Sequence, residues 1–147
     1  MNSKNMRPIE IVLVEDNPGD IVLTQEAFSE AKVLNNLKVL RDGEEALAYL
    51  NKEGQYQDMK KPDLIFLDLN LPKVDGREVL EFMKSSEHLK DLPVVVLTGS
   101  DADHDILKAY DLNVNSYMVK PLNLEQFVNV INSVESFGFS VVSTSDG

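Results

Sequence analysis

Short, nearly unbroken apolar runs alternate along the chain with longer stretches in which apolar residues recur every three or four positions. The runs predict strands at Ile9–Val14, Leu37–Arg41, Asp63–Leu67, Pro93–Leu97 and Ser116–Val119. The first, third and fourth are almost continuous in Val, Ile and Leu, the pattern of strands covered on both faces. The longer stretches predict helices near Gly19–Ala31, Glu44–Asn51, Gly76–Ser86, Ala102–Tyr110 and Leu124–Phe137. In the last of these, Leu124, Phe127, Val128, Ile131 and Val134 fall on one stripe, while Glu125, Asn129 and Asn132 fall elsewhere. Asn17 followed by Pro18 reads as a helix N-cap with proline in the first turn, where its missing N–H is no loss. This repeated β-α alternation predicts an α/β fold, a doubly wound parallel sheet whose right-handed crossovers put helices on both faces.

Two segments stand outside that pattern. Lys52–Lys61 is predicted as a polar loop before the third strand. In the tail, Phe137, Phe139 and Val141 alternate with Gly138 and Ser140, a period of two that suggests a short strand, placed to cover a sheet edge or to pair across a dimer. The predicted organisation is an N-terminal tail over 1–8, one domain over 9–137 and a C-terminal extension over 138–147.

Composition narrows the choice of function. Fourteen Lys and Arg against 25 Asp and Glu give a formal net charge of −11, with no basic run, which argues against nucleic-acid binding. Cysteine is absent, which removes disulfides, thiol nucleophiles and Cys-based zinc sites. His88 and His104 are the only imidazoles, too few for a His-ligated metal centre. The apolar run Ile9–Val14 is too short for a signal-peptide core and no run is long enough to span a bilayer, so a cytoplasmic location without membrane attachment is expected.

Ligands of an open parallel sheet bind at the carboxyl ends of the strands, where the strand order reverses. At those ends stand Glu15-Asp16, Asp68, Thr98 and Lys120. Each has an ordinary explanation: acids favour a helix N-terminus, Asp68 could be a turn residue, Thr98 a strand-end cap and Lys120 a solvated lysine. Independent ordinary causes would scatter them over both ends of the sheet, whereas here they share one rim. Three carboxylates crowded together repel one another unless a cation sits among them, and oxygen ligands without His or Cys favour Mg2+. Asp68 could then attack phosphorus as a carboxylate nucleophile, with Thr98 and Lys120 suited to the phosphoryl oxygens.

These residues, with the stretch Leu67-Asp68-Leu69-Asn70-Leu71-Pro72, Asp75-Gly76, Thr98-Gly99-Ser100 and Lys120-Pro121, strongly resemble the receiver domain of two-component response regulators, from about Ile9 to Phe137. The resemblance implies a CheY-like (flavodoxin-like) five-stranded sheet of order 2-1-3-4-5 and the following roles. Asp68 is the phosphoacceptor; Glu15, Asp16, Asp68 and the backbone carbonyl of Asn70 hold Mg2+, Glu-Asp standing for the commoner Asp-Asp. Thr98 is the switch hydroxyl, Tyr117 the switch aromatic, and the Lys120-Pro121 bond is cis. Asn70 and Ser100 stand where side chains tune the lifetime of the phosphorylated form. With the loop and tail, Glu15-Asp16-Asn17-Pro18-Gly19-Asp20 also resembles a narrower group of small single-domain regulators, some of which partner phytochrome-type sensor kinases.

Competing readings fare worse. Phosphatases and dehalogenases with an Asp nucleophile typically place a second Asp two residues later, where this chain has Asn70. A flavodoxin-like cofactor binder needs a phosphate loop where this chain has two acids. A receiver-like interaction module that is never phosphorylated usually lacks an acid, the acceptor or the lysine. The expected protein is therefore a phosphoacceptor rather than an enzyme, served by a sensor histidine kinase or phosphotransfer protein. Its signal is expected to leave through a partner or a homodimer that uses the C-terminal tail and the face made of the helix at Ala102–Tyr110, the strand at Ser116–Val119 and the last helix.

Overall fold

The computed structural model describes residues 8–32, 34–99 and 116–132. Five strands, β1 (Ile9–Val14), β2 (Asn35–Leu40), β3 (Leu64–Asp68), β4 (Val94–Thr98) and β5 (Ser116–Val119), form one parallel sheet in the order β2-β1-β3-β4-β5. With them come α1 (Pro18–Ala31), α2 (Gly43–Leu50), α3 (Gly76–Ser85) and α4 (Leu124–Asn132). This is the doubly wound α/β fold read from the sequence, with the strand order that the resemblance implies. The order reverses at β1, whose neighbours are β2 on one side and β3 on the other, so the crevice of the fold opens where β1 and β3 end.

The period of two in the strands builds two cores. Val12, Val14, Ile65, Leu67, Val94 and Val96 face one way and meet Ala46 and Leu50 of α2 and Leu80 and Met83 of α3. Ile11, Leu13, Leu64, Phe66, Val95 and Leu97 face the other way and meet Phe28 of α1 with Phe127 and Ile131 of α4. Every residue of β3 and β4 is buried, which is why those segments could be read as unbroken apolar runs. Edge strand β2 is half covered and alternates, so its polar residues Asn35, Asn36 and Lys38 are tolerated.

Short polar side chains start the helices. The Oδ1 of Asn17 accepts the Asp20 N–H at 2.9 Å ahead of Pro18, as predicted. Asp42, Asp75 and Asn123 accept from the N–H groups of Glu45, Arg77 and Gln126 at 2.8, 3.0 and 2.8 Å, each satisfying a donor that the helix cannot.

The structure also departs from expectation in detail. β2 starts two residues earlier than predicted, at Asn35, and β3 and β4 each run one residue further, so that Asp68 and Thr98 are themselves strand residues, opposite Leu97 and Val119. Lys52–Lys61 is not simply a polar loop: it holds a single 3-10 turn, Gly54–Tyr56, that buries Tyr56. That ring packs edge-on against Tyr49 at 5.3 Å, and its hydroxyl donates to Glu45 Oε2 at 3.2 Å. On α4, Phe127 and Ile131 are fully buried, while Leu124, its first residue, remains 37% exposed. The helix expected at Ala102–Tyr110, Ser100, Val134 and the tail from Phe137 lie outside the described residues.

Candidate functional site

Four strand ends deliver the site. Glu15 follows β1 directly, and its N–H donates to Leu40 O at 2.9 Å, which continues the β1–β2 ladder by one residue. Asp68 closes β3 and Thr98 closes β4; both side chains are buried. Lys120 follows β5, and its N–H donates to Thr98 O at 2.7 Å, which pins the lysine backbone to the end of β4. The Lys120-Pro121 bond is cis, as the resemblance implies.

Asp68 is held from two sides. Its Oδ1 accepts the Asn70 N–H at 2.9 Å, and its Oδ2 accepts from Lys120 Nζ at 3.0 Å. Behind it, α3 starts unusually close, with the Gly76 N–H donating to Leu69 O at 3.1 Å. A methyl group on Gly76 would strike the Asp68 carbonyl oxygen and come within 2.6 Å of Leu69 Cα, so only glycine lets α3 begin under the Asp68 loop.

Lys120 gathers the carboxylates. Its Nζ lies 3.0 Å from Asp68 Oδ2, 3.2 Å from Glu15 Oε1 and 3.1 Å from Asp20 Oδ2. Asp20 was not among the sequence-predicted site residues. The available signal was its place three residues after the Asn17 cap, which puts it in the first turn of α1, on the same rim.

Electrostatics separate the neighbours Glu15 and Asp16. Asp16 is exposed, whereas the Glu15 side chain is fully buried. Burial first, then the hydrogen bond to and the charge of Asp68, push the Glu15 carboxyl up to about 8, against the opposing pull of Lys120 and the Asn17 N–H. Burial disfavours the charged form of Lys120, but its hydrogen bond and ion pair with Asp68, and then Glu15 and Asp20, outweigh that and hold the ammonium above its ordinary value.

Oxygens of Glu15, Asp16 and Asp68 lie within 4.8 Å of one another. Glu15 Oε1 sits at ion-pair distance from Lys120 but receives no aligned hydrogen bond, the one such buried side-chain atom among the described residues. A buried acceptor in that condition is costly. Hard oxygen donors with one orphaned lone-pair site suit Mg2+ or a similar ion.

The protonation of Glu15 yields a prediction. Its folded-state value lies above the ordinary 4.5, so the folded protein binds the extra proton, and this group's contribution to stability falls as pH rises from about 4.5 to about 8. A bound cation requires the ionised form and displaces that proton. Saturating Mg2+ should therefore raise the thermal midpoint more at about pH 9 than at about pH 6. Thermal unfolding with Mg2+ and with chelator at both pH values checks this, and an equal shift at both would contradict it.

The remaining described candidates stand apart from these contacts. Asn70 is exposed, and its Nδ2 lies 3.8 Å from where a Cβ on Gly99 would stand. Tyr117 is half-buried and packs against the α2–α3 core. His88 is at the far end of the sheet, lining a cavity of about 60 Å³ with Tyr49 and Lys60, well away from the carboxylates.

Comparison with known proteins gives the family. The family model for the response regulator receiver domain matches residues 11–132. The chain is 42% identical over 143 residues to response regulator Rcp1 of Synechocystis sp., covering 97% of each protein. It is 47% identical to the chain in the crystal structure of the phosphorylated cyanobacterial phytochrome response regulator RcpA, covering 93% of this chain and 100% of that one, with a TM-score of 0.77. For the crystal structure of the Mn(2+)-bound form of Rcp1 the identity is 43%, the coverage 92% and 98%, and the TM-score 0.77.

Proposed function

Because the chain belongs to the response regulator receiver domain family, a signalling module of two-component systems rather than a classical enzyme, we propose that Asp68 is its phosphoacceptor and Lys120 the residue that readies it. The observation that carries this reading is the 3.0 Å contact between Lys120 Nζ and Asp68 Oδ2, made across 52 residues of sequence in the crevice of the sheet.

In the proposed reaction an oxygen of Asp68 attacks the phosphorus of a phosphohistidine on a sensor histidine kinase or phosphotransfer protein. The P–N bond breaks, its electron pair returns to the donor imidazole, and an acyl phosphate forms on Asp68. Mg2+, which this family binds, would be held by Glu15, Asp16, Asp68 and the Asn70 carbonyl, and would neutralise charge on the phosphoryl oxygens. Lys120 holds the Asp68 carboxylate in place beforehand and is near enough to donate to a phosphoryl oxygen afterwards. The Thr98 hydroxyl, at the end of the adjacent strand, then turns onto the new group, and Tyr117 packs inward behind it. The altered face around β5 and α4 recruits a partner or a second copy of the chain. Asn70, beside the acceptor, sets how fast water removes the group. Cytoplasmic operation fits a chain in which, among the described residues, no helix is long and apolar enough to cross a membrane.

The test is intact-protein mass spectrometry after incubation with acetyl phosphate, with Mg2+ or with chelator. The expected result is a Mg2+-dependent gain of one phosphoryl group, about 80 Da. No gain, repeated with a phosphorylated kinase as donor, would sink the reading in favour of a receiver-like module that works unphosphorylated.

A further inference from the structure

An ammonium has three N–H donors. On Lys120 they reach three different carboxylates, through hydrogen bonds to Glu15 Oε2 at 3.3 Å and Asp68 Oδ2 at 3.0 Å and an ion pair with Asp20 Oδ2 at 3.1 Å. Glu15 and Asp68 belong to the oxygen cluster suited to a cation; Asp20 does not. It comes from another element, and its backbone is fastened at both ends. The Asp20 N–H donates to Asn17 Oδ1 at 2.9 Å, and its carbonyl accepts from Thr24 Oγ1 at 2.8 Å. The Asp20 side chain is only 21% exposed, so its position is set by α1 rather than by solvent.

We propose that Asp20 is a positioning residue for Lys120, drawing one of its donors toward α1 so that the ammonium stays beside Asp68 without closing Glu15 and Asp68 to a divalent cation. The proposal rests on the reading of Asp68, Lys120 and the acidic cluster given above. A lysine and a cation compete for the same carboxylate oxygens. Without Asp20, the ammonium has, among the described residues, only Glu15 and Asp68 left as charged partners. The charge-assisted hydrogen bonds to both, 3.3 and 3.0 Å with Asp20 in place, would then tighten and be harder to break before a cation could bind. With Asp20 present, a partner that is not in the oxygen cluster keeps one donor occupied. The simpler role for an acid in the first turn of a helix is to favour the positive end of its dipole. That role would affect the stability of α1 but would not act through Lys120.

A double-mutant cycle separates these roles. Mg2+ affinity is measured by calorimetric titration for the unaltered chain, Asp20→Ala, Lys120→Met and the double variant, each first shown to unfold cooperatively. Lys120→Gln serves if Lys120→Met does not fold. Asp20→Ala is expected to weaken Mg2+ binding about fivefold when Lys120 is present and less than about twofold when it is replaced. Asp20→Glu, which keeps the charge, should recover part of the loss. An equal loss in both backgrounds would reduce Asp20 to a nearby charge and overturn the proposal. So would a lowered thermal midpoint with unchanged affinity, which would indicate the helix-end role. Failure of the unaltered chain to bind Mg2+ at all would instead remove the cation site on which the proposal depends.

Discussion

Asp68→Asn will take up no phosphoryl group from acetyl phosphate and will still unfold in one cooperative transition. The amide has the shape of the carboxylate, but its nitrogen lone pair is delocalised and its oxygen carries no full charge, so neither attacks phosphorus. Other acids on the rim are poor substitutes. Glu15 is buried and drawn toward its protonated form, and Asp16 is exposed beyond the Lys120 contacts. Folding survives because the amide oxygen can still accept the Asn70 N–H, now at 2.9 Å from Asp68 Oδ1. Lys120 loses its shortest ion pair but keeps Glu15 and Asp20, while Glu15 is relieved of repulsion from Asp68. The opposing effects leave a net cost of about 1–2 kcal/mol. Intact mass after acetyl phosphate and Mg2+, with urea unfolding of the same sample, checks both halves. Retained Mg2+-dependent labelling would move the acceptor to another residue.

Phe66→Ala will cost about 3–5 kcal/mol, a large share of the 5–15 kcal/mol that holds a typical domain together. Phe66 is fully buried at the centre of β3. Its ring meets Phe28 of α1 edge-on at 5.7 Å and 86°, and Phe127 of α4 at 5.6 Å and 38°. One side chain thus ties both helices of that face to the middle strand. The effect should reach the site as well, because α1 carries Asp20 and α4 follows Lys120 in the chain. The urea midpoint should fall sharply, with a weaker stabilisation by Mg2+. A loss under about 1 kcal/mol would mean that the ring is not close-packed between the helices.

Lys120 shows why some of the site could be read in one dimension and some could not. A lysine just after a short β run, on the same rim as strand-end acids, is visible once the strands are assigned. Its partner Asp20 lies 100 residues earlier on a helix, and only the way α1 leaves β1 brings the two within 3.1 Å. Glu15 and Asp16 look equivalent in sequence. In the structure one is sealed in the crevice and the other faces solvent, because successive residues of an extended chain point to opposite sides. Tyr56 stayed hidden for a related reason: its neighbours Gln55, Gln57 and Asp58 are polar, and its burial depends on Tyr49 and Glu45, which α2 supplies.

What the sequence determined by itself is the part governed by local pattern: the apolar period of two or of three to four, the capping side chains, and the chemistry standing at each strand end. These depend on residues a few positions apart, so they can be read without coordinates. Tertiary structure alone decided which carboxylate is buried, which third acid holds the lysine, and that Glu15 keeps an acceptor without an aligned donor. Those are consequences of desolvation and of ångström-scale distances between segments far apart in the chain, and no local pattern encodes them.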